Sequence, residues 1–155
     1  MSKSLKRVRA ALEAAGLPND VRETDRARTA QMAAESIGCV LDQIAKSIIF
    51  QGDSSGEAIL FLTAGGNQVD TVKASALAGE RLGKADADLV RAQTGFAIGG
   101  VSPVGHITPI RAFIDLRLLE FDIVWAAAGT PNHVFHIDPS LLPGLTGAKP
   151  ADFIV

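Results

Sequence analysis

Apolar residues recur at helical spacing at the start of the chain, at Leu5, Val8, Leu12 and Ala15, and Gly16 then Pro18 end the pattern. Residues 21–24 have the length of a short strand. Thr29 can cap a helix in which Met32, Ser36 and Ile37 share a face and Gly38 is the stop. Residues 44–50 and 58–63 read as two strands of a hairpin across the turn Gly52-Asp53-Ser54-Ser55-Gly56. Asp70 opens a helix to Ala78, and Asp86 opens another to Thr94 with Gly95 at its end. Residues 107–114 and 123–128 are apolar, strand-like runs, and 134–137 make a last short strand. Asp138-Pro139 sets a cap before a proline at the first helical position, which starts a helix over 140–142.

Helices and strands alternate without a regular βαβ rhythm, so the pattern predicts an α+β fold rather than a doubly wound sheet. No repeat, linker or low-complexity stretch interrupts it, and 155 residues fit one domain spanning 1–155. Aromatic residues are few, seven Phe, one Trp and no Tyr, which limits stacking platforms for single-stranded bases. The single cysteine, Cys39, leaves no intramolecular disulfide to form, and its place after Ile37-Gly38 suits an inert thiol better than a nucleophile. Neither a leader-like run nor a membrane-length apolar stretch is visible, so a cytoplasmic protein without a membrane partner is expected.

A net charge of −2 argues against a broad surface that tracks phosphates, and DNA is not an expected partner. Within that total, residues 1–28 carry seven Lys/Arg against four Asp/Glu, while the rest carries eight against thirteen. The basic end could touch a nucleic acid locally, although a solvated helix face explains the same charges.

Strand alternation puts Ile44, Lys46, Ile48 and Phe50 on one face. A lysine among three large apolar side chains needs an anionic or carbonyl partner, or it sheds its proton. A ligand phosphate would serve where no protein carboxylate does. The plain alternative is an edge-strand lysine reaching to water. The second feature is Thr94-Gly95-Phe96-Ala97-Ile98-Gly99-Gly100-Val101-Ser102-Pro103-Val104-Gly105-His106. Its glycines permit close backbone approach, and Pro103 biases Ser102 toward extended geometry. Such a loop can present its own N–H and C=O groups, yet it matches neither a Walker loop nor GxGxxG. Glycine content alone also fits an ordinary connection.

Together these residues resemble the YbaK-type aminoacyl-tRNA deacylases, relatives of the editing domain inserted in bacterial prolyl-tRNA synthetases. Lys46, Thr94-Gly95-Phe96 and Gly99-Gly100-Val101-Ser102-Pro103-Val104-Gly105 carry the likeness. Two more stretches are similar: Gly65-Gly66-Asn67-Gln68-Val69-Asp70-Thr71-Val72-Lys73 and Trp125-Ala126-Ala127-Ala128-Gly129-Thr130-Pro131-Asn132. The resemblance implies a mixed, barrel-like central sheet surrounded by helices. It implies hydrolysis of an amino acid wrongly esterified to a tRNA, most simply a small amino acid on tRNA-Pro or a related tRNA. It assigns Lys46 to the terminal nucleotide and the backbone of Gly99, Gly100, Val101, Ser102 and Pro103 to the aminoacyl end. Asn67, Gly105, His106, Gly129, Asn132 and His133 are the further substrate-binding candidates. No protein nucleophile, metal or cofactor is implied, and water attack is assisted by the substrate's own ribose hydroxyl, or by its thiol for cysteine. The expected partners are the aminoacyl-tRNA 3′ end and, optionally, an aminoacyl-tRNA synthetase.

His133 and His136 invite a zinc reading, but on a strand they face opposite sides and cannot readily share an ion. The family carries a pocket histidine in the late loop; His133 is the nearest match, with His136 left open. Ser102 lacks the G-x-S-x-G elbow and an acid to orient His106, so a serine triad is rejected. Two other functions stay open at this stage: a non-catalytic module docking on tRNA or a synthetase, and a small-molecule esterase.

Overall fold

In the computed structural model, which describes residues 2–155, the stripe Leu5, Val8 and Leu12 is buried on helix α1 (Lys3–Ala14). Ser2 caps that helix by accepting the Leu5 N–H. After strand β1 (Val21–Glu23), helix α2 (Ala30–Ile37) starts at Thr29, whose hydroxyl accepts the Met32 N–H, and stops at Gly38 with φ 87°. The expected Met32, Ser36, Ile37 face is not the one it buries. Ala34 is the buried residue and Met32 is 44% exposed, because the helix approaches the sheet through its small side chains.

Strands β2 (Ile44–Gly52) and β3 (Ala58–Ala64) form the expected hairpin, with Lys46 opposite Thr63 and Phe50 opposite Ile59. Helices α3 (Thr71–Ala78) and α4 (Ala87–Thr94) are capped by the Asp70 and Asp86 carboxylates, and Gly95 ends α4 at φ 82°. Strand β5 (Arg111–Asp115) is shorter than the apolar run 107–114 suggested. Pro109 has no N–H to offer a ladder, and the Ile107 N–H is already given to Thr94 O. Strands β6 (Val124–Ala127) and β7 (His133–Ile137) lie where the pattern put them. The helix expected over 140–142 is a 3-10 turn at Pro139–Leu141 that runs on into α5 (Leu142–Thr146). Two strands went unread, β4 (Leu82–Lys84) and β8 (Lys149–Ala151); each is three residues long, too short for alternation to show.

The sheet has eight strands in the order β1-β7-β6-β2-β3-β5-β8, with β4 also paired to β2. The pairs β2–β6, β3–β5 and β5–β8 are parallel and the others antiparallel, so the sheet is mixed, as the α+β reading required. Alternation divides the core between its faces: Leu60, Leu62 and Ala64 pack with α1, whereas Ile59 and Phe61 pack with α3, Phe113 and Phe153. Phe61 stacks on Phe113 at 5.2 Å and meets Phe153 edge-on at 5.0 Å.

One local departure from regular pairing positions the site. On the edge of β2 away from β3, β6 takes Ile44 and Ala45 while β4 takes Phe50 to Gly52. Among the described residues, Lys46 to Ile49 have no strand partner on that edge. The sheet opens there.

Candidate functional site

Lys46 lies at the opening and its ammonium donates to the main-chain carbonyl of Asn67 at 2.6 Å. The partner is thus a neutral carbonyl, not a carboxylate, which leaves the positive charge uncancelled by contact. Asn67 is fixed from two sides: its N–H reaches Ala64 O, and its side-chain amide donates to the Asp115 carboxylate at 2.9 Å. Asp115, 2% exposed, also accepts the N–H groups of Ala64 at 3.0 Å and Arg117 at 2.9 Å. Asp42 accepts the Gly66 N–H and the Arg117 guanidinium, and that guanidinium holds its carboxyl below the usual carboxylate range. Burial pushes the Lys46 ammonium below the ordinary lysine value, and the charges of Asp115 and Asp42 oppose the shift.

Lys46 forms part of a cleft of about 320 Å³ between the sheet face and the start of α2. Ala30 and Ala33 of α2 wall one side, Ile44 and Ala127 the sheet side, and Gly99 and Val101 close one end. Ser47 also lines it, and its hydroxyl oxygen is buried with no hydrogen-bond partner among the described residues.

The glycine-rich loop leaves α4 and folds against the turn between β6 and β7. A Cβ on Gly100 would stand 3.0 Å from Thr130 Cα and 3.2 Å from Gly129 O, so a side chain here would push the loop and the turn apart by a few tenths of an ångström. The Gly100 N–H is committed to Ala97 O at 3.0 Å. Those of Gly99 and Val101 make no hydrogen bond among the described residues, and both residues border the cleft. Among the loop residues that line the cleft, these two N–H groups are uncommitted.

The remaining loop candidates sit behind it. Pro103, Gly105 and His106 line a separate cavity of about 190 Å³. The Ser102 hydroxyl is fully buried and accepts the Val104 N–H, a turn role that leaves no free nucleophile. His106 donates through Nε2 to Ser102 O at 2.5 Å, while its Nδ1 is buried with no hydrogen-bond partner among the described residues. Burial lowers the His106 pKa, the Ser102 hydrogen bond opposes that, and the Arg7 charge adds to it. Arg7 clamps the same loop by donating to Gly95 O and Gly105 O and lying over the Phe96 ring.

Of the two late histidines, His133 borders the cleft and its Nδ1 meets the Thr130 hydroxyl at 2.6 Å. His136 turns away, toward Asp20 at 3.6 Å and Trp125. Gly129 is structural, with φ 96° and a backbone contact to Ser4; Asn132 gives its carbonyl to the Thr24 N–H. Among the described residues no three His, Cys, Asp or Glu side chains gather as metal ligands would. The frame of Asp42, Asp115 and Arg117, with the Ser47 hydroxyl, was missed in the sequence. Asp115 alone left a signal there, as the acid that ends an apolar run.

Residues 24–143 match the model of the aminoacyl-tRNA editing domain family. The uncharacterized protein YwhH of Bacillus subtilis (strain 168) is 33% identical over 147 residues, covering 94% of this chain and 93% of that protein. A crystal structure described as a candidate trans-editing enzyme for prolyl-tRNA synthetase is 46% identical, with a TM-score of 0.91 over 100% of this chain and 99% of that one. The crystal structure of hypothetical protein APE2540 is 27% identical, with a TM-score of 0.86 over 96% of this chain and 99% of that one.

Proposed function

Since this chain belongs to the aminoacyl-tRNA editing domain family, we propose that it acts in trans, hydrolysing the ester of a small amino acid wrongly attached to tRNA-Pro or a related tRNA. The observation that carries this reading is the cleft itself: a cation held by a neutral carbonyl at one point and unpaired main-chain N–H groups at another. The Lys46 ammonium takes the phosphate of the terminal nucleotide, and the small-residue end by Gly99 and Val101 takes the aminoacyl group. The cleft, about 320 Å³ and open to solvent, has room for a nucleoside carrying a small amino acid.

In the chemical step, water adds to the ester carbonyl, whose oxygen becomes an oxyanion facing the Gly99 and Val101 N–H groups. Collapse breaks the bond to the ribose oxygen, which leaves as the hydroxyl after taking the water's proton, with the neighbouring ribose hydroxyl as relay. An ester is already activated, so positioning and oxyanion stabilisation suffice. The step as proposed involves no metal, and the chelator arm of the test below checks that. Such an enzyme meets a physical need: a synthetase pocket separates side chains differing by a methylene by only about 1–3 kcal/mol, which calls for a second sieve. The chain works as one domain, 1–155, in the cytoplasm, and a prolyl-tRNA synthetase is its natural partner.

The test is a deacylation panel of alanine, cysteine, serine and threonine esters on tRNA-Pro and other tRNAs, run with and without chelator. Turnover of one small amino acid, indifferent to chelator, is expected. No turnover of any charged tRNA would leave a docking module, and equal turnover of simple esters would leave an esterase.

A further inference from the structure

The cleft does not end at Trp125. The same indole lines a second depression of about 410 Å³, formed with Asp20, Arg22 and His136 on the far side. Strand register explains the continuity: Trp125 stands opposite Ile44, two residues from Lys46 on the same sheet face, and His136 stands opposite Trp125. The Arg22 guanidinium lies over the indole at 4.7 Å and is tethered by donating to Ile37 O at 3.3 Å. Arg22 is solvent-exposed, so the outer face of its guanidinium is open. His136 packs beside the indole at 5.1 Å, and Asp20, whose side chain is 76% exposed, stands 3.6 Å from His136. Nearby charges are of both signs: Glu23 ends β1 and Asp25 follows it, while Arg26 and Arg28 make no ion pair among the described residues.

We propose that this depression holds the cytosine that precedes the terminal adenosine in the single-stranded 3′ end of tRNA, stacked on the Arg22–Trp125 pair. The inference rests on the reading above, which places the terminal nucleoside in the Lys46 cleft and its 5′-phosphate at the lysine. The chain then leaves over the only tryptophan in the sequence. Four of the seven Phe rings, Phe61, Phe96, Phe135 and Phe153, are fully buried, and among the described residues no Phe lines the cleft or this depression, so the aromatic platform here is the Arg22–Trp125 stack. Guanidinium planes and aromatic rings both stack unpaired bases. The tether to Ile37 O orders Arg22 before the base arrives, which reduces the entropy lost on binding. Asp20 supplies the discriminating contact, since a carboxylate accepts from the cytosine amine and is repelled by the carbonyl that uracil carries there.

The experiment titrates the full chain with adenosine 5′-monophosphate and with the trinucleotides CCA and CUA. It reads affinity and the single indole N–H NMR signal, which belongs to Trp125. CCA is expected to bind about tenfold more tightly than the mononucleotide and to move the indole signal further. CUA should lose most of that gain. Arg22→Ala should abolish the gain for CCA and leave mononucleotide affinity unchanged. Equal affinity for CCA and the mononucleotide, equal affinity for CCA and CUA, or an equal loss for every ligand in Arg22→Ala would each overturn the proposal. A chain that deacylates no charged tRNA yet keeps the CCA gain would refute the editing reading alone. One that deacylates without the gain would refute this site alone.

Discussion

Lys46 gives its ammonium to the carbonyl of Asn67, and Asn67 in turn gives its amide to Asp115, so a surface cleft is anchored to a buried carboxylate. Lys46→Met keeps the apolar stem and removes the charge. Deacylation is expected to fall about 10²–10³-fold, the scale of losing one electrostatic contact in an active site, with the fold retained. Unchanged turnover with a normal circular dichroism spectrum would remove the lysine from the mechanism.

The same lysine makes nucleotide binding sensitive to alkali. Its folded pKa lies below 10.5, so affinity for adenosine 5′-monophosphate should decline at a lower pH than an exposed lysine would dictate. For stability the sign is opposite. Between the lowered folded value and 10.5 the unfolded chain holds more protons, so stability rises with pH across that window. Titrations of binding and of urea unfolding in parallel would show the two trends crossing, and a shared direction would contradict the assignment.

Asp115 accepts from Ala64, Asn67 and Arg117 with no donor of its own. Asp115→Asn forces an amide N–H₂ against one of these donors. A loss of about 2–4 kcal/mol in urea unfolding is expected. Because Asn67 is released as well, nucleotide affinity should weaken in conditions where the variant is still folded.

His106 locks the loop from behind by donating to Ser102 O, which requires the neutral ring to keep its proton on Nε2. Its folded pKa is lowered from 6.5, so the stabilising contribution is complete above 6.5 and is lost as pH falls through the folded value. Melting temperature should drop between neutral and mildly acidic pH, more steeply in the wild type than in His106→Gln. Parallel curves for the two proteins would exclude His106 as the source.

Gly100→Ala places a methyl 3.0 Å from Thr130 Cα. The glycine loop and the β6–β7 turn must separate, at a cost of about 1–3 kcal/mol. Turnover should fall further than stability alone explains, because Gly99 and Val101 move with the loop.

The Ser47 hydroxyl is buried without a partner, so Ser47→Ala should leave stability unchanged or raise it by up to about 1 kcal/mol. A simultaneous fall in kcat/KM would show that the substrate fills the empty hydrogen bond. A stability loss with full activity would make Ser47 a packing residue.

Local chemistry was legible along the chain by itself. The helix caps Thr29, Asp70 and Asp86, the stops Gly38 and Gly95, the β2–β3 hairpin and the placing of Lys46 on one face with Ile44, Ile48 and Phe50 all follow from spacing and side-chain type. The motif around Gly99 to Pro103 pointed to the family because its residues are contiguous. Everything that depends on which strand lies beside which was decided in three dimensions. The gap between β4 and β6 that opens the cleft, the Asp42–Arg117–Asp115 frame from distant segments, and the turning of His106 behind the loop leave no local pattern. His133 and His136 show the division: alternation set them on opposite sides, yet the strand register puts His136 beside Trp125 on the Lys46 face, and it is His133, at the start of β7 next to the turn, that borders the cleft. Periodicity records how a segment divides its own faces, whereas a site is made by neighbours that the chain brings together only on folding.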